Sequence, residues 1–338
     1  MRKPLRSNNH FTLNDIVDIF TLYERAMKAI LVRAVFFACL IASSYAMLAA
    51  GQDKPYLYVL GVAQDAGYPQ AGCYKPHCLP GWEDASLRQG AVSLGLVDPD
   101  ANKKYIFEAT PNLPQQLFNL ESEAPSDRYD LAGVFLTHAH IGHYAGLMFF
   151  GQEVMSTSDM PVFAMPKMSQ FLTENGPWSQ LVDYKNIALQ SLRNKVAEKL
   201  GQLMVTPFLV PHRDEFSETV GYKIQGPNKT AVFIPDINKW DQWQTDITEL
   251  VKTVDYALLD AAFFADGELP GRDMSKIPHP FVVETMQRLQ SLSKEDRNKV
   301  WFIHMNHTNP ILNPDSAESR KVEAEGFNIA RSGIRLVL

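Results

Sequence analysis

Three histidines within six residues constrain this chain more than any other feature of its sequence. His138 and His140 alternate along one segment, so in an extended conformation both side chains point the same way, and His143 follows on the next turn. The chain has nine histidines in all. Three unrelated surface histidines would therefore rarely fall by chance in so short a stretch. Neutral imidazoles at this density are typical ligands of zinc, iron or manganese.

These histidines directly follow the apolar run Leu131–Leu136, which predicts a short buried strand. Three further polar residues also follow apolar runs, namely His212, Asp236 and His304. Taken singly, each is equally well explained as a satisfied polar residue at the edge of a core. However, side chains at the ends of adjacent strands converge on one rim of a sheet, where loops shape a site. A carboxylate can also bridge two metal ions, which a histidine cannot, so the shared placement favours one metal centre.

Short apolar runs rich in β-branched and aromatic residues predict further strands, and two segments have helical spacing. The other predicted strands are Tyr56–Val62, Ala91–Val97, Tyr105–Phe107, Met204–Val210, Thr219–Ile224, Ala231–Ile234, Val300–Ile303 and Ile334–Leu338. The predicted helices are Asp246–Thr253 and Pro280–Leu292. Strands in meanders with few helices between them favour an α+β fold, a four-layer αββα sandwich. No change of composition marks a linker, so residues 51–338 are predicted to form one domain.

The first fifty residues have the pattern of a secretory signal peptide behind a short extension. Starting at Met27, two basic residues precede the apolar run Ala34–Leu48, and small residues follow at 49–51. The run is short for a membrane span, which needs about 20 apolar residues, but an N-terminal anchor is the alternative. We therefore expect residues 1–26 to be an upstream extension and residues 27–50 to be a cleaved signal peptide. The mature protein is then periplasmic or secreted, without stable membrane association.

The charge of the remaining chain argues against a nucleic-acid substrate. Residues 1–50 contain six basic and three acidic side chains, which leaves 26 basic and 35 acidic residues and a net charge of −9. Binding to a phosphate backbone requires a basic face. A small-molecule substrate is therefore expected.

Four segments resemble, in order and spacing, the signature of the metallo-β-lactamase superfamily: THAHIGHYAGL, PHRDEFSETVGY, FIPDINKW and FIHMNHTNP. The resemblance runs from about Tyr56 to the C-terminus, and the pyrroloquinoline quinone biosynthesis protein B family is especially similar. It implies six metal ligands: His138, His140 and His212 for a first ion, His143 and His304 for a second, and Asp236 as the bridge. It also implies that Asp236 and His304 take part in catalysis.

One residue departs from the superfamily pattern. Its first motif is HxHxDH, and Gly142 stands here in place of the aspartate, which in relatives binds the second metal ion. We therefore expect the second site to be weak, empty, or completed by another group such as Asp260.

The cysteines indicate a second cluster. Once the signal segment is removed, only Cys73 and Cys78 remain. Some relatives hold a structural zinc ion in this loop, partly through a histidine three residues beyond the last catalytic one, which corresponds here to His307. The resemblance thus implies zinc at Cys73, Cys78 and His307, with His77 as a possible fourth ligand. A Cys73–Cys78 disulfide is the alternative, favoured by an oxidising compartment.

The resemblance implies a hydrolase that uses a metal-activated water on an ester, phosphodiester, lactone or related bond. One or two catalytic zinc ions are expected, with iron or manganese as alternatives. Two other functions stay open: a cofactor-biosynthesis or redox enzyme like the quinone biosynthesis protein, and a binding protein with a degenerate site.

Overall fold

Fourteen strands and nine α-helices form the part of the chain that the structure, a computed structural model, describes, which is residues 54–338. The strands are β1 Tyr56–Gly61, β2 Ser93–Asp98, β3 Lys103–Phe107, β4 Asp130–Phe135, β5 Met160–Ala164, β6 Ile187–Ser191, β7 Glu198–Leu200, β8 Leu203–Leu209, β9 Val220–Gln225, β10 Thr230–Ile234, β11 Tyr256–Asp260, β12 Val300–Ile303, β13 Asn328–Ile329 and β14 Arg335–Val337. The helices are α1 Leu79–Glu83, α2 Leu113–Glu123, α3 Ile141–Tyr144, α4 Pro166–Glu174, α5 Trp178–Asp183, α6 Ile247–Lys252, α7 Val282–Arg288, α8 Lys294–Arg297 and α9 Ala317–Ala324.

The strands form two seven-stranded mixed sheets with related topology. The first has the order β14-β1-β2-β3-β4-β5-β6, and the second has the order β13-β12-β11-β10-β9-β8-β7. In the first sheet, neighbours from β14 to β3 are antiparallel and those from β3 to β6 are parallel. In the second, neighbours from β7 to β10 are antiparallel and those from β10 to β13 are parallel. Each sheet therefore ends in a parallel half, whose strands present their carboxyl ends at one edge.

The two sheets pack face to face through a core of large aromatic side chains. The ring of Tyr222 on β9 lies 5.3 Å from Phe107 on β3 and 5.7 Å from Phe135 on β4, in edge-to-face contact with both. Helices α2, α4 and α5 cover the outer face of the first sheet, and α6, α7 and α9 contribute to the core of the second. The predicted α+β sandwich of four layers is confirmed.

Most predicted elements are present, with shifted ends. The helix predicted over Pro280–Leu292 covers only Val282–Arg288, since Phe281 is extended at its N-cap and Leu289 is its C-cap. The side chain of Glu284 accepts a hydrogen bond from the Phe281 amide, 2.9 Å away, which satisfies one of the free donors at the helix start.

The chain from Lys54 to Leu338 forms one compact unit. The predicted signal peptide and upstream extension, residues 1–50, lie outside the described residues. Within residues 54–338, no helix combines the length and the apolar character that crossing a membrane requires.

A buried hydroxyl ties the second sheet to the loop that carries the histidine motif. Tyr222 is fully buried, and its hydroxyl donates a hydrogen bond to the carbonyl oxygen of Leu136, two residues before His138. We expect Tyr222→Phe to lower the free energy of unfolding by about 1–3 kcal/mol, because a buried acceptor loses its donor. Urea denaturation measures this, with Tyr184→Phe at an exposed position as the control. Equal stability of both variants would contradict the prediction.

Candidate metal centre

All six predicted ligands lie together in loops that follow the carboxyl ends of strands. These loops come from both sheets, and the residues they carry are His138 and His140 after β4, His143 on α3, His212 after β8, Asp236 after β10 and His304 after β12. The strands β4, β10 and β12 belong to the parallel halves of the two sheets, and β8 runs in the same direction as β10. Residues that are distant in sequence therefore meet at one edge of the sandwich.

The first donor group consists of His138, His140, His212 and Asp236, whose ligand atoms all lie within 4.8 Å of one another. The Oδ2 atom of Asp236 is 3.3 Å from Nε2 of His138 and 3.2 Å from Nε2 of His212. The Nδ1 atom of His140 is 2.8 Å from the same His138 nitrogen. Two ring nitrogens this close either share one proton in a hydrogen bond or hold a cation between them. Three imidazoles and one carboxylate oxygen suit a zinc ion.

The other nitrogen of each of these imidazoles has a polar partner. The partners are Thr137 Oγ1 for His138 at 2.9 Å, Asn238 Oδ1 for His212 at 3.3 Å and Glu215 Oε2 for His140 at 3.0 Å. Such contacts select the ring orientation and the tautomer of a metal ligand. The rings are therefore already oriented with one nitrogen toward the shared centre.

The second donor group contains His143, His304 and Asp65, whose ligand atoms also lie within 4.8 Å of one another. The Nε2 atom of His143 is 3.7 Å from Oδ2 of Asp236, which places Asp236 between the two groups. Asp65, in the loop after β1, was not predicted from the sequence.

Buried polar atoms without a partner mark this second group. Both ring nitrogens of His143, both of His304 and Oδ1 of Asp236 are buried without a hydrogen bond. Such atoms are rare in folded proteins because each costs free energy. Three carboxylates, Glu108, Asp236 and Asp260, are also buried to 4% exposure or less and need positive charge nearby. The residues present therefore fit a bound cation.

Asp260 contacts two histidines of this region, His279 and His304. Its carboxylate accepts hydrogen bonds from the amides of Ile237 and Ala262 and lies 2.8 Å from Nδ1 of His279. Its Oδ1 atom is 3.5 Å from Nδ1 of His304. It belongs to the cluster, as the sequence suggested, and its ligand atom lies within 4.8 Å of those of Asp236, His279 and His304. Because two backbone amides and His279 already contact its oxygens, we assign it the role of orienting His279 and His304.

Two more buried residues of this region carry no motif, and neither was predicted as part of the metal centre. Glu108 follows β3, and its Oε1 atom is 3.5 Å from Nδ1 of His143. His279 precedes α7 and lies 3.3 Å from Oδ1 of Asp236. Burial lowers the pKa of His279, but the carboxylates of Asp260 and Asp236 outweigh it and raise that pKa to about 9.

The local electrostatic environment shifts the pKa values of His138 and His143 in opposite directions. Burial holds the pKa of His138 well below its usual range, so this imidazole is neutral and has a free lone pair. Burial also lowers the pKa of His143, but Glu108 and Asp236 outweigh it and raise it to about 9. Burial raises the pKa of Asp236, yet His279 and hydrogen bonds from His138 hold it well below the ordinary value. Asp236 is therefore anionic at neutral pH, as a bridging ligand must be.

A family model described as Beta-lactamase superfamily domain matches residues 103–305, more than half of the chain. The chain belongs to this superfamily. The matched region includes all six predicted ligands.

Several members of the superfamily are similar to this chain over most of its length. The Coenzyme PQQ synthesis protein B of Methylobacterium sp. (strain 4-46) is 25% identical over 305 residues, which cover 83% of this chain and 99% of the relative. The protein of the same name from Acinetobacter baumannii (strain ACICU) is 25% identical over 315 residues, covering 84% and 100%. The resemblance to the quinone biosynthesis family is thereby confirmed.

Solved structures support the fold. The crystal structure of Zn(2+)-bound PqqB from Methylobacterium extorquens matches with a TM-score of 0.69 and 22% identity, covering 84% of this chain and 100% of that one. A diphosphatase from the PhnP family matches with a TM-score of 0.58 and 18% identity, covering 84% and 97%. At these identities the matches show the metallo-β-lactamase fold.

The cysteine cluster differs from the predicted structural zinc site. Cys73 and Cys78 form a disulfide, which was the alternative, and sulfur atoms bonded to each other cannot bind zinc as thiolates. The donor atoms of Cys73, Cys78, His77 and His307 nevertheless lie within 4.8 Å of one another. The cluster thus has the residues of a zinc site and the covalent bond of an oxidised pair.

We expect the reduced protein to bind one more zinc ion than the oxidised protein, because reduction frees two thiolates beside two imidazoles. Elemental analysis before and after reduction, followed by dialysis against zinc, measures the difference. A variant with Cys73→Ser and Cys78→Ser should show no such difference. Equal zinc content of the oxidised and reduced wild-type protein would show that this cluster does not bind zinc.

Proposed function

We propose that the protein is a metal-dependent hydrolase. The observation that carries the proposal is the position of Asp236, whose Oδ2 atom lies 3.2–3.3 Å from Nε2 of His138 and His212 in the first donor group and 3.7 Å from Nε2 of His143 in the second. An anionic oxygen between two groups of imidazoles is suited to bridge two metal ions. Membership of the superfamily supports the same conclusion.

The residues of the chain have distinct roles in such a reaction. A divalent metal ion, when bound, supplies a water of lowered pKa and a Lewis acid that polarises the scissile group. Asp236 holds negative charge at the centre, where it orients a water molecule. His279, adjacent to Oδ1 of Asp236, stabilises that charge.

A cavity of about 450 Å³ adjoins the candidate centre and indicates the substrate class. Asp65 and His279 line it, together with three basic residues, Arg213, Arg272 and Lys276. Its volume is that of a small-molecule site. Arg213 and Lys276 have acidic neighbours, whereas no ion pair to Arg272 occurs within residues 54–338. We therefore infer a small anionic substrate, with a phosphodiester as the leading bond type among those expected.

The basic residues provide a test of the substrate charge. We expect Arg272→Gln to raise the KM for an anionic phosphodiester about tenfold, since a charge-assisted hydrogen bond contributes about 1.5 kcal/mol. The KM for a neutral chromogenic ester should stay unchanged. Arg320→Gln, on α9 and outside the cavity lining, is the control. An equal effect on both substrates would refute a role for the charge.

A second candidate function is cofactor biosynthesis or redox chemistry. It is favoured by the similarity to proteins named Coenzyme PQQ synthesis protein B over 83% of the chain. The proposed export from the cytoplasm counts against it. The Cys73–Cys78 disulfide supports export, because disulfides persist in oxidising compartments.

One experiment separates the candidates. The purified protein is analysed for metals and assayed with chromogenic esters, bis(p-nitrophenyl) phosphate and a chromogenic cephalosporin. Zinc together with turnover of the phosphodiester is the expected result. Iron that changes oxidation state with oxygen would favour redox chemistry. A protein that binds no transition metal would contradict both enzymatic functions and favour a binding protein.

A further inference from the structure

We propose that Asp65 is the anionic ligand of the second metal ion and takes the place of the aspartate that Gly142 has lost. The inference deepens the proposed function, because it completes a second metal position. It comes from a contact between two loops that are far apart in sequence, the loop after β1 and the histidine motif after β4.

The space that a side chain at position 142 would occupy is filled by Asp65. A Cβ atom built on Gly142 would lie 2.5 Å from Cα of Asp65, 2.8 Å from its Oδ1 and 2.9 Å from its Cβ. Carbon atoms do not approach other heavy atoms this closely without displacement. An aspartate at position 142 and the observed position of Asp65 therefore exclude each other, and the glycine is what admits Asp65.

Asp65 brings a carboxylate to the donors of the second group. Its Oδ1 atom is 3.7 Å from Nε2 of His143, which is also 3.7 Å from the bridging Asp236. The donor atoms of Asp65, His143 and His304 all lie within 4.8 Å of one another. The second position thus has the carboxylate of Asp65 and two imidazoles, and Asp236 lies 3.7 Å from one of these imidazoles.

The backbone holds Asp65 against this site. The amide of Gln64 donates to the carbonyl of Met305 at 2.8 Å, and the amide of Met305 donates to Val62 at 2.8 Å. Because Met305 directly follows His304, these bonds join the loop to a predicted ligand of the same ion.

The conformation of Asp65 itself also points to a role in the site. Its φ is 43°, in the left-handed region, and non-glycine residues in such conformations concentrate at functional sites. No hydrogen bond from another described residue reaches its carboxylate, so a loop-stabilising contact does not account for the side chain. Its side chain is 54% exposed, on the wall of the cavity.

The test counts bound metal in matched variants of the oxidised protein. Wild type, Asp65→Asn and Asp159→Asn are dialysed against Zn²⁺ or Co²⁺, and metal per chain and the visible spectrum of bound Co²⁺ are recorded. Asp159 is an exposed aspartate with a similar φ of 52°, and its replacement controls for the loss of a charge at such a position. Loss of a residue that orients a metal ligand typically lowers metal affinity about 10–100-fold. Loss of a direct ligand should therefore lower the affinity for the second ion at least about 100-fold.

We expect two ions in wild type and Asp159→Asn, and one in Asp65→Asn. Gly142→Ala should also lose the second ion, because the new methyl group displaces Asp65. The exchange of Asp65→Gly with Gly142→Asp should restore it, since the carboxylate then enters the same space from the other loop. Asp65→Asn decides the question even if the exchanged protein does not fold.

Two results would overturn the inference. One is a wild-type protein that binds a single ion, and the other is Asp65→Asn with two ions at wild-type affinity. A protein with the expected metal counts that hydrolyses none of the substrates would instead refute the proposed function and leave the ligand assignment standing.

Discussion

Asp236→Asn is expected to remove bound metal and to lower turnover by on the order of 10³-fold or more. Asparagine keeps the size of the side chain but removes the charge that faces the imidazoles of His138, His212 and His143. A metal ion contributes several kcal/mol to transition-state stabilisation, and each 1.4 kcal/mol is about tenfold in rate. Metal content by elemental analysis and hydrolysis of bis(p-nitrophenyl) phosphate measure the two effects.

The control for this variant is Asp246→Asn. Asp246 caps α6 through a hydrogen bond to the amide of Thr248, and asparagine caps a helix equally well. Metal content and turnover should match wild type in this control. Circular dichroism must show that both variants are folded. Full metal content in Asp236→Asn would mean that this carboxylate is not the bridge.

Asp260→Asn is expected to weaken metal binding about 10–100-fold, which is the usual effect of losing a carboxylate that orients a ligand. Asp260 is fully buried and lies 2.8 Å from His279 and 3.5 Å from His304. Asparagine at position 260 would place an NH₂ group, which is a donor, opposite N–H groups that need an acceptor. Isothermal titration with Zn²⁺ measures the affinity, and turnover at saturating zinc shows whether the chemical step changes as well.

Asp255→Asn provides a matched control on the same strand. Asp255 directly precedes β11 and accepts a hydrogen bond from the amide of Thr230, whereas Asp260 is the last residue of β11. Both variants therefore replace an aspartate that binds backbone amides, at opposite ends of one strand. Equal loss of zinc affinity in both would indicate a general effect on the fold rather than an effect on the ligands.

The histidine motif was predictable because its signal is local. His138, His140 and His143 lie within six residues directly after an apolar strand, so their grouping is visible in the sequence without knowledge of the fold. The strands β1, β4 and β12 were predicted to within a residue or two for the same reason. By contrast, β5, β6, β7, β11 and β13 were not predicted, because each is only two to five residues long and too short for a clear periodic pattern.

The supporting residues could not be found in this way. Glu108 and His279 lie in segments without a motif, and only the packing of the two sheets brings them beside His143 and Asp236. The cysteine loop also shows what sequence alone leaves undecided. Its residues were recognised, but spacing leaves a disulfide and a zinc site equally open.

The amino-acid sequence by itself indicated the sandwich of two sheets through the periodicity of its strands, and it indicated the six residues at the edge through the resemblance of its motifs to those of the superfamily. Only the three-dimensional structure showed which carboxylate, that of Asp65, takes the place of the missing aspartate. Gly142 indicates from sequence only that a ligand is absent. The position of the Asp65 carboxylate, whose Oδ1 atom lies 2.8 Å from where a Cβ of residue 142 would be, depends on the contact between two distant loops. Such a contact arises from tertiary packing, and no local pattern of residues encodes it.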